Sequence, residues 1–161
     1  MRLAVLADTH LRAGVEGLPG SVLEALRGCD GILHAGDLVS GAVLGGLRAL
    51  GPVHAVLGNN DHELRGVLPE ALEVVLAGVP LAMVHDSGPA RGRPGRMARR
   101  FPGARIVVFG HSHVPLDEVG LGGQLLFNPG SPTQRRSQPV ATFGILRLEA
   151  GEVAERAILP V

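Results

Sequence analysis

Short apolar runs alternate with helical patterns through about the first sixty residues, and this alternation constrains the fold more than any other feature. Strands are predicted at 3–7, 31–35 and 53–57, and helices at 22–27 and 40–50. Strand, helix and strand in succession form parallel βαβ units, whose sheet is buried on both faces. Ser21, with Glu24 three residues later, has the spacing of a capping box and is expected to begin the first helix. The sequence therefore predicts an α/β arrangement for this part of the chain.

The remaining chain is richer in strand patterns. Residues 72–77 and 80–85 flank Gly78-Val79 and predict a β-hairpin with its turn at those two residues. Further strands are predicted at 105–109, 124–127, 141–148 and 153–158. Residues 91–101 contain five Arg and predict either a short helix or a mobile loop, because two Gly and one Pro interrupt them. With no repeat and no linker, we expect one domain over 1–161.

The composition excludes several classes of protein and of site. Fifteen basic and fifteen acidic residues cancel, so no overall field attracts nucleic acid, and four Phe leave few candidates for stacking on bases. Cys29 is the only cysteine, which excludes an internal disulfide or zinc–thiolate cluster, and we expect it to be a small buried side chain. No apolar run approaches the ~20 residues that span a bilayer, and no signal peptide is recognisable. A cytoplasmic protein without a membrane partner is expected, and a homo-oligomer stays an open alternative.

Polar side chains of the metal-ligand types follow the predicted strands at the point where each strand ends. In open α/β sheets, ligands bind beyond the carboxyl ends of the strands. If the first strand stays extended past Ala7, the side chains of Asp8 and His10 point to the same face. Nitrogen and oxygen donors without sulfur suit Mn, Fe, Zn or Ni. The candidate metal ligands of the predicted two-metal site are Asp8, His10, Asp37, Asn59, His85, His111 and His113.

Each of these residues also has a structural explanation when considered alone. Asp or Asn after a strand commonly forms a turn or caps a helix, and this would explain Asp37 and Asn59 without a metal. His85 alone is a polar residue at the end of a strand. His34 lies inside a predicted strand, so we expect a structural or supporting role, and His54 is expected to face solvent.

Five short motifs occur in the order of a known family. Asp8-x-His10, Gly36-Asp37, Gly58-Asn59-x-Asp61, His85 and Gly110-His111-Ser112-His113 resemble the motifs of the calcineurin-like metallophosphoesterases. The short length and Asn128-Pro129-Gly130-Ser131 are similar to the small single-domain phosphodiesterase branch. The resemblance implies an α/β (α+β) fold in which a four-layer β-sandwich carries flanking helices.

By position, the resemblance assigns two divalent ions to these residues. It implies that Asp37 bridges the ions, with Asp8, His10 and His113 completing one site and Asn59, His85 and His111 the other. Mn is the expected metal, with Ni, Zn, Fe and Mg as alternatives. Asp37, Asn59 and Asp61 are implied to be catalytic, Asp61 by orienting other groups.

The implied reaction is hydrolysis of a small phosphate ester, a phosphodiester or a phosphomonoester, by a hydroxide held between the ions. Two divalent ions bring four positive charges, Asp8 and Asp37 remove two, and the hydroxide removes one. One positive charge is then left to attract the phosphate ester.

The chain departs from the family at Asn60. The family has His at this position, where it helps to protonate the leaving group, and an Asn side chain cannot act as an acid near neutral pH. We therefore predict a preference for leaving groups that depart without a proton. His62 is an alternative acid two positions on, and Asn60 and His62 are both expected to contact substrate.

Other interpretations stay open. The Arg91–Arg100 cluster is either a solvated face or a basic rim that steers an anionic substrate, and the same alternatives hold for Arg135 and Arg136. A nuclease is disfavoured by the zero net charge. A protein scaffold, or a protein that binds a phosphate ligand without turnover, would keep the fold, but the complete set of ligand positions favours catalysis.

Overall fold

The computed structural model describes residues 1–161, which form ten strands and three α-helices. The strands are β1 Arg2–Leu6, β2 Gly31–His34, β3 Val53–Ala55, β4 Ala71–Leu76, β5 Val79–Val84, β6 Ile106–Val108, β7 Leu116–Val119, β8 Leu125–Asn128, β9 Thr142–Glu149 and β10 Glu152–Pro160. The helices are α1 Gly20–Arg27, α2 Gly41–Leu50 and α3 Arg93–Arg100. No helix of this structure has the length and apolar character needed to cross a membrane.

The strands form two mixed sheets of five strands each. The first has the order β10-β9-β1-β2-β3, in which β1, β2 and β3 are parallel and β9 and β10 are antiparallel. The second has the order β4-β5-β6-β8-β7, with a parallel centre of β5, β6 and β8 and an antiparallel strand at each edge. The parallel βαβ units predicted for the first part of the chain are confirmed.

Three groups of buried apolar side chains define four layers. The largest group lies between the sheets and includes Val5 of β1 and Phe127 of β8. A second group packs α1 and α2 on the outer face of the first sheet. The third packs α3, through Met97, on the outer face of the second sheet. The four-layer sandwich with flanking helices is therefore the observed architecture.

Several local predictions are wrong. The β4–β5 turn is Ala77-Gly78, one residue earlier than expected, because these residues take the left-handed conformation (φ 48° and 80°) and Leu76 pairs with Val79. Ser21 does not cap α1, because the helix begins at Gly20 directly after Pro19, which sets the backbone before the first turn.

The structure also answers the open prediction for residues 91–101 and adds one strand. Residues 93–100 form a helix, with Pro94 in its first turn, where a missing N–H costs nothing. The short strand β7 was not predicted, because half of its residues are acidic and it lies at a sheet edge. Cys29 and His54 are both half-buried, rather than buried and solvent-facing as expected.

Candidate metal centre

The loops that follow β1, β2, β3, β5 and β6 bring the candidate ligands together in two groups. In the first group, Nε2 of His113 lies 3.3 Å from Nε2 of His10 and 3.4 Å from Oδ1 of Asp8. We call Asp8, His10 and His113 the buried half, because Asp8 and His113 are almost fully inaccessible to solvent. One donor atom of each of these three residues lies within 4.8 Å of the others, close enough to hold one ion.

The second group is more accessible. Oδ1 of Asn59 lies 3.1 Å from both Nε2 of His85 and Nδ1 of His111, and these two nitrogens are 3.3 Å apart. We call Asn59, His85 and His111 the open half, because Asn59 and His111 are exposed. Oδ2 of Asp37 lies 3.5 Å from Nε2 of His10 and 3.5 Å from Nε2 of His85, so this carboxylate joins the two halves.

The backbone at the site is not extended. Strand β1 ends at Leu6, and Asp8 and His10 have φ of 55° and 47°, so the chain does not stay extended past Ala7 and the condition for the same-face prediction is not met. Positive φ is shared by five of the seven candidate ligands, namely Asp8, His10, Asp37, His111 and His113. Such conformations cost on the order of 1–3 kcal/mol each and persist only where the surrounding structure imposes them. The loops therefore turn sharply to aim the ligands inward.

Hydrogen bonds between the loops hold these turns. The amide of Asp8 donates to the carbonyl of Gly36 at 2.9 Å, and the amide of His10 donates to the carbonyl of Asp37 at 2.9 Å. The amide of His111 donates to Oδ1 of Asp8 at 3.2 Å. Each contact joins loops that follow different strands, so the site depends on the alignment of the sheets.

Two glycines of the motifs are required because the side chains of candidate ligands lie very close to them. A Cβ at Gly58 would lie 2.1 Å from Oδ1 of Asp37, and a Cβ at Gly110 would lie 2.9 Å from Oδ2 of Asp8. Neither contact is sterically possible, so any side chain at these positions would displace a candidate ligand.

Asp61 is buried, and its carboxylate contacts backbone amides rather than the side chains of the candidate ligands. Its carboxylate accepts from the amides of Asp37 at 2.9 Å, Val39 at 2.6 Å and Gly58 at 2.7 Å. Because these amides belong to the loops after β2 and β3, Asp61 ties together the loops that carry Asp37 and Asn59. This geometry suits the orienting role expected for Asp61.

Asn60 and His62 lie differently relative to the centre. The Asn60 side chain donates to Oδ2 of Asp37 at 2.7 Å, and its amide donates to Oδ1 at 2.9 Å. His62 is exposed and accepts from Arg65 at 3.1 Å through Nδ1. His62 shares a cleft with His10 and Asn60 but makes no hydrogen bond to any candidate ligand.

Burial and charge set the protonation of the centre. Burial raises the pKa of Asp8 to about 8, with a further contribution from the negative charge of Asp37, and Oδ2 of Asp8 is buried without a hydrogen-bond partner. Burial acts to raise the pKa of Asp37 as well, but the hydrogen bonds from Asn60 and the nearby histidines hold it below its usual value. Burial lowers the pKa of His10 and of His113, which keeps both rings neutral near pH 7.

The tautomers of two histidines follow from their backbone partners. Nδ1 of His85 donates to the carbonyl of Ala35 at 2.7 Å, and Nδ1 of His113 donates to the carbonyl of Gln134. Each Nε2 is then an unprotonated nitrogen that faces the centre. The lone pairs of these nitrogens face the carboxylates of Asp8 and Asp37, and Oδ2 of Asp8 has no hydrogen-bond partner. Divalent cations would bind to such a set of donors. The residues present therefore fit a metal pair.

A supporting loop was not identified from the sequence. Ser131 Oγ donates to the carbonyl of Asp8 at 2.8 Å, and Thr133 Oγ1 donates to the carbonyl of Thr9 at 2.7 Å. Together with the Gln134 carbonyl, these contacts attach residues 131–134 to the buried half. The Asn128–Ser131 motif was the available signal, but nothing in the sequence shows which loop it contacts. Beneath this half, His34 is fully buried, with Nε2 3.1 Å from Thr9 Oγ1, and burial lowers its pKa to about 3.

Two clefts meet the centre from different sides. One of about 720 Å³ lies beside the open half and is lined by Asn59, His85 and His111 together with Arg65 and Arg100. The other, of about 450 Å³, lies beside His10 and Asn60.

The Arg91–Arg100 cluster divides between structural and cleft-facing residues. Arg93 donates to Ser87 Oγ at 2.9 Å and lies over the ring of Phe109, and Arg96 donates to the carbonyl of Ser87 at 2.7 Å. These two side chains therefore stabilise the loop that follows His85. Arg100 lines the larger cleft.

Comparisons with known proteins show which family and which solved structures the chain is similar to. Residues 1–151 match the family model described as the calcineurin-like phosphoesterase superfamily domain. A probable metallophosphoesterase of Methanothermobacter thermautotrophicus is 32% identical, over 99% of this chain and 92% of its own length. An archaeal phosphodiesterase structure has a TM-score of 0.79 at 21% identity, covering 100% of both chains. Vps29 of Entamoeba histolytica complexed with Zn²⁺ has a TM-score of 0.78 at 22% identity, covering 100% of this chain and 98% of its own. The chain belongs to the calcineurin-like phosphoesterase superfamily.

Proposed function

We propose that this protein is a metal-dependent phosphodiesterase that hydrolyses small phosphate esters. The observation that carries the proposal is a complete donor set in two halves joined by Asp37, with an open cleft on each side. A phosphodiester has an ester group on each side of phosphorus, and the two clefts provide space for both. A phosphomonoester would use only one cleft, so the diester is the preferred substrate class.

The proposed centre holds two divalent ions, with Mn as the expected metal. The buried half and Asp37 would hold one ion, and the open half and Asp37 the other. When bound, such a pair lowers the pKa of a shared water to supply a hydroxide and stabilises both oxygens of an in-line displacement. Vps29 of Entamoeba histolytica, which shares this fold, has been solved in complex with Zn²⁺, and this supports binding of a divalent ion by the fold.

The chain's own residues have three roles in this proposal. Asn59 and Asp37 position the centre, and Asp61 holds both of their loops through backbone amides. The rings of His85 and His113 keep Nε2 directed inward through their Nδ1 hydrogen bonds. Asn60 directs its amide to Asp37 and offers no proton to a leaving group.

Metal dependence tests the proposal directly. Protein stripped with a chelator should hydrolyse bis-nitrophenyl phosphate only after Mn, Ni, Zn or Mg is restored, each tested separately. Restored turnover supports the phosphodiesterase. Full metal loading without turnover of any phosphodiester would contradict it and favour the second candidate, a scaffold or phosphate-binding protein on the same fold, for which the similarity to Vps29 is the observation.

The leaving-group dependence tests the role of Asn60. Rates across a series of aryl phosphodiesters should fall steeply as the leaving-group pKa rises, because no acid protonates the departing oxygen. Asn60→His should flatten this slope and raise the rate for poor leaving groups by about tenfold or more. His62→Ala is the matched control. If the slope is flat in the wild-type protein and steep in His62→Ala, His62 is the acid.

A further inference from the structure

Two adjacent arginines follow the supporting loop, and only one of them reaches the metal centre. Nη1 of Arg136 donates to the carbonyl of His111 at 3.3 Å. Nη1 of Arg135 donates instead to the carbonyl of Gln138, within its own turn. The left-handed backbone of Arg136 (φ 51°) turns the chain between these two side chains, so that neighbours in sequence face different surroundings.

The position of Arg136 is set by the same loop that supports the buried half. Ser131, Thr133 and Gln134 are attached to the loops of Asp8, Thr9 and His113 by hydrogen bonds. Arg136 continues this loop and closes it onto His111, a residue of the open half. Its guanidinium therefore contacts the backbone of the open half, while its loop supports the buried half.

Arg136 brings a permanent positive charge to the loop that supports the buried half. A permanent cation beside a cation-binding centre repels metal, so its presence there calls for an anionic partner.

We propose that Arg136 is a substrate-binding catalytic residue whose guanidinium donates to a non-bridging phosphoryl oxygen of the ester at the metal centre. This inference rests on the proposed function. A guanidinium has five N–H donors, and the structure uses one of Arg136's on the His111 carbonyl. The remaining donors are exposed and have the planar fork that matches phosphate oxygens.

The charge balance supports this role. With two divalent ions, two carboxylates and a hydroxide, the centre keeps one positive charge, which a phosphodiester monoanion neutralises. Arg136 adds a second positive charge that needs no proton transfer. This charge stabilises the negative charge on the non-bridging phosphoryl oxygens in the transition state of the displacement.

The test compares Arg136→Gln with Arg135→Gln in the full-length protein. Gln at 136 keeps an amide donor for the His111 carbonyl but removes the charge. Calorimetry measures the binding of Mn²⁺ to metal-free protein and then of inorganic phosphate to Mn-loaded protein. We expect Arg136→Gln to weaken phosphate binding by about 10–100-fold. Mn²⁺ affinity should stay unchanged or increase, because a repulsive charge is lost. Arg135→Gln should change either constant by less than about twofold.

Activity gives a second readout. We expect Arg136→Gln to lower kcat/KM for bis-nitrophenyl phosphate by about 100-fold, and Arg136→Lys to recover part of that loss, because Lys keeps the charge without the planar fork. A parallel loss of Mn²⁺ and phosphate binding would overturn the inference, because a structural residue weakens both. Equal effects of the two Gln variants, or no effect of either, would also overturn it.

The two proposals fail in different ways. If wild-type protein hydrolyses no phosphodiester but binds phosphate through Arg136, the proposed function fails and the catalytic role of Arg136 fails with it, while its contact with phosphate stands. If Arg136→Gln retains wild-type hydrolysis, the inference fails and the proposed function stands. Wild-type Mn-loaded protein that binds no phosphate would overturn the inference as well.

Discussion

The buried and open halves of the centre use the same types of donor but are built differently. In the buried half, Asp8 and His113 are shielded from solvent. The loop at 131–134 donates a hydrogen bond to the backbone of Asp8 and accepts one from the ring of His113. In the open half, Asn59 and His111 are exposed at a cleft of about 720 Å³. The buried half is held by contacts from a neighbouring loop, whereas two of the three side chains of the open half are accessible at a cleft.

This difference teaches how one site can both retain metal and admit substrate. Donors held rigidly by outer contacts bind metal more tightly, because little ordering is needed on binding. Donors at an open cleft exchange more readily and leave space for a substrate oxygen. We therefore infer that the buried half holds the tighter ion, and the following experiments challenge that comparison.

The largest effect is expected at Asp37, which belongs to both halves. Asp37→Ala should lower activity by at least about 10³-fold and reduce the affinity for both ions, because each loses its shared carboxylate. Metal content and kcat/KM measure the outcome. Asp30→Asn is the control, because this carboxylate accepts only from the amide of Arg2, away from the centre. Retention of two tightly bound ions in Asp37→Ala would show that the halves are independent.

Single-half variants test the inequality of the two ions. His111→Ala should leave one ion bound tightly and lower activity by about 100-fold, because only the open half loses a donor. His113→Ala should abolish the tight binding step. Calorimetric titration with Mn²⁺ resolves the two steps. If His111→Ala removes the tighter step, the assignment of affinity to the halves is reversed.

The pH dependence of the metal-free protein tests the burial of Asp8. Its pKa is raised from 3.8 to about 8, so folding favours the protonated carboxyl and this contribution to stability is lost as pH rises towards 8. The pKa values of His10, His34 and His113 are lowered from 6.5, so their contribution is present above pH 6.5 and is lost as pH falls below it.

These opposed contributions predict a stability maximum near pH 6.5. From there to pH 8, the free energy of unfolding should fall by about 1–2 kcal/mol. Asp8→Asn should remove this fall and keep the decline on the acid side. Chemical denaturation of chelator-treated protein at several pH values measures both limbs. A wild-type protein whose stability is constant from pH 6.5 to 8 would contradict the shielding of Asp8.

The smallest effect is expected from the loop that supports the buried half. Ser131→Ala removes the hydrogen bond to the Asp8 carbonyl and should cost about 1 kcal/mol of unfolding free energy. The tighter Mn²⁺ step should weaken and the weaker one should not, because only the buried half loses support. Ser137→Ala, an exposed serine of the same loop, is the matched control. An equal loss of Mn²⁺ affinity in both binding steps would show that the loop supports the whole centre.

Much of the architecture was predictable because it depends on local patterns. The runs before Asp8, Asp37 and Asn59 indicated parallel strands, and the positions of polar residues after them indicated one edge of a sheet. The exact turn at Ala77-Gly78 and the start of α1 were not predictable, since each depends on the conformation of one or two residues. Strand β7 was missed because its acidic sequence forms a strand only by pairing with β8.

The sequence by itself determined which side chains are candidates for the chemistry and the order in which they follow their strands. Only the tertiary structure decided how they meet: the left-handed turns at Asp8 and His10, the two halves joined by Asp37, and the separation of Arg136 from Arg135. The physical reason is that residue type and strand periodicity are local properties. The contacts that impose a strained backbone conformation come from other loops, some of them more than a hundred residues away in sequence, as between Asp8 and Ser131.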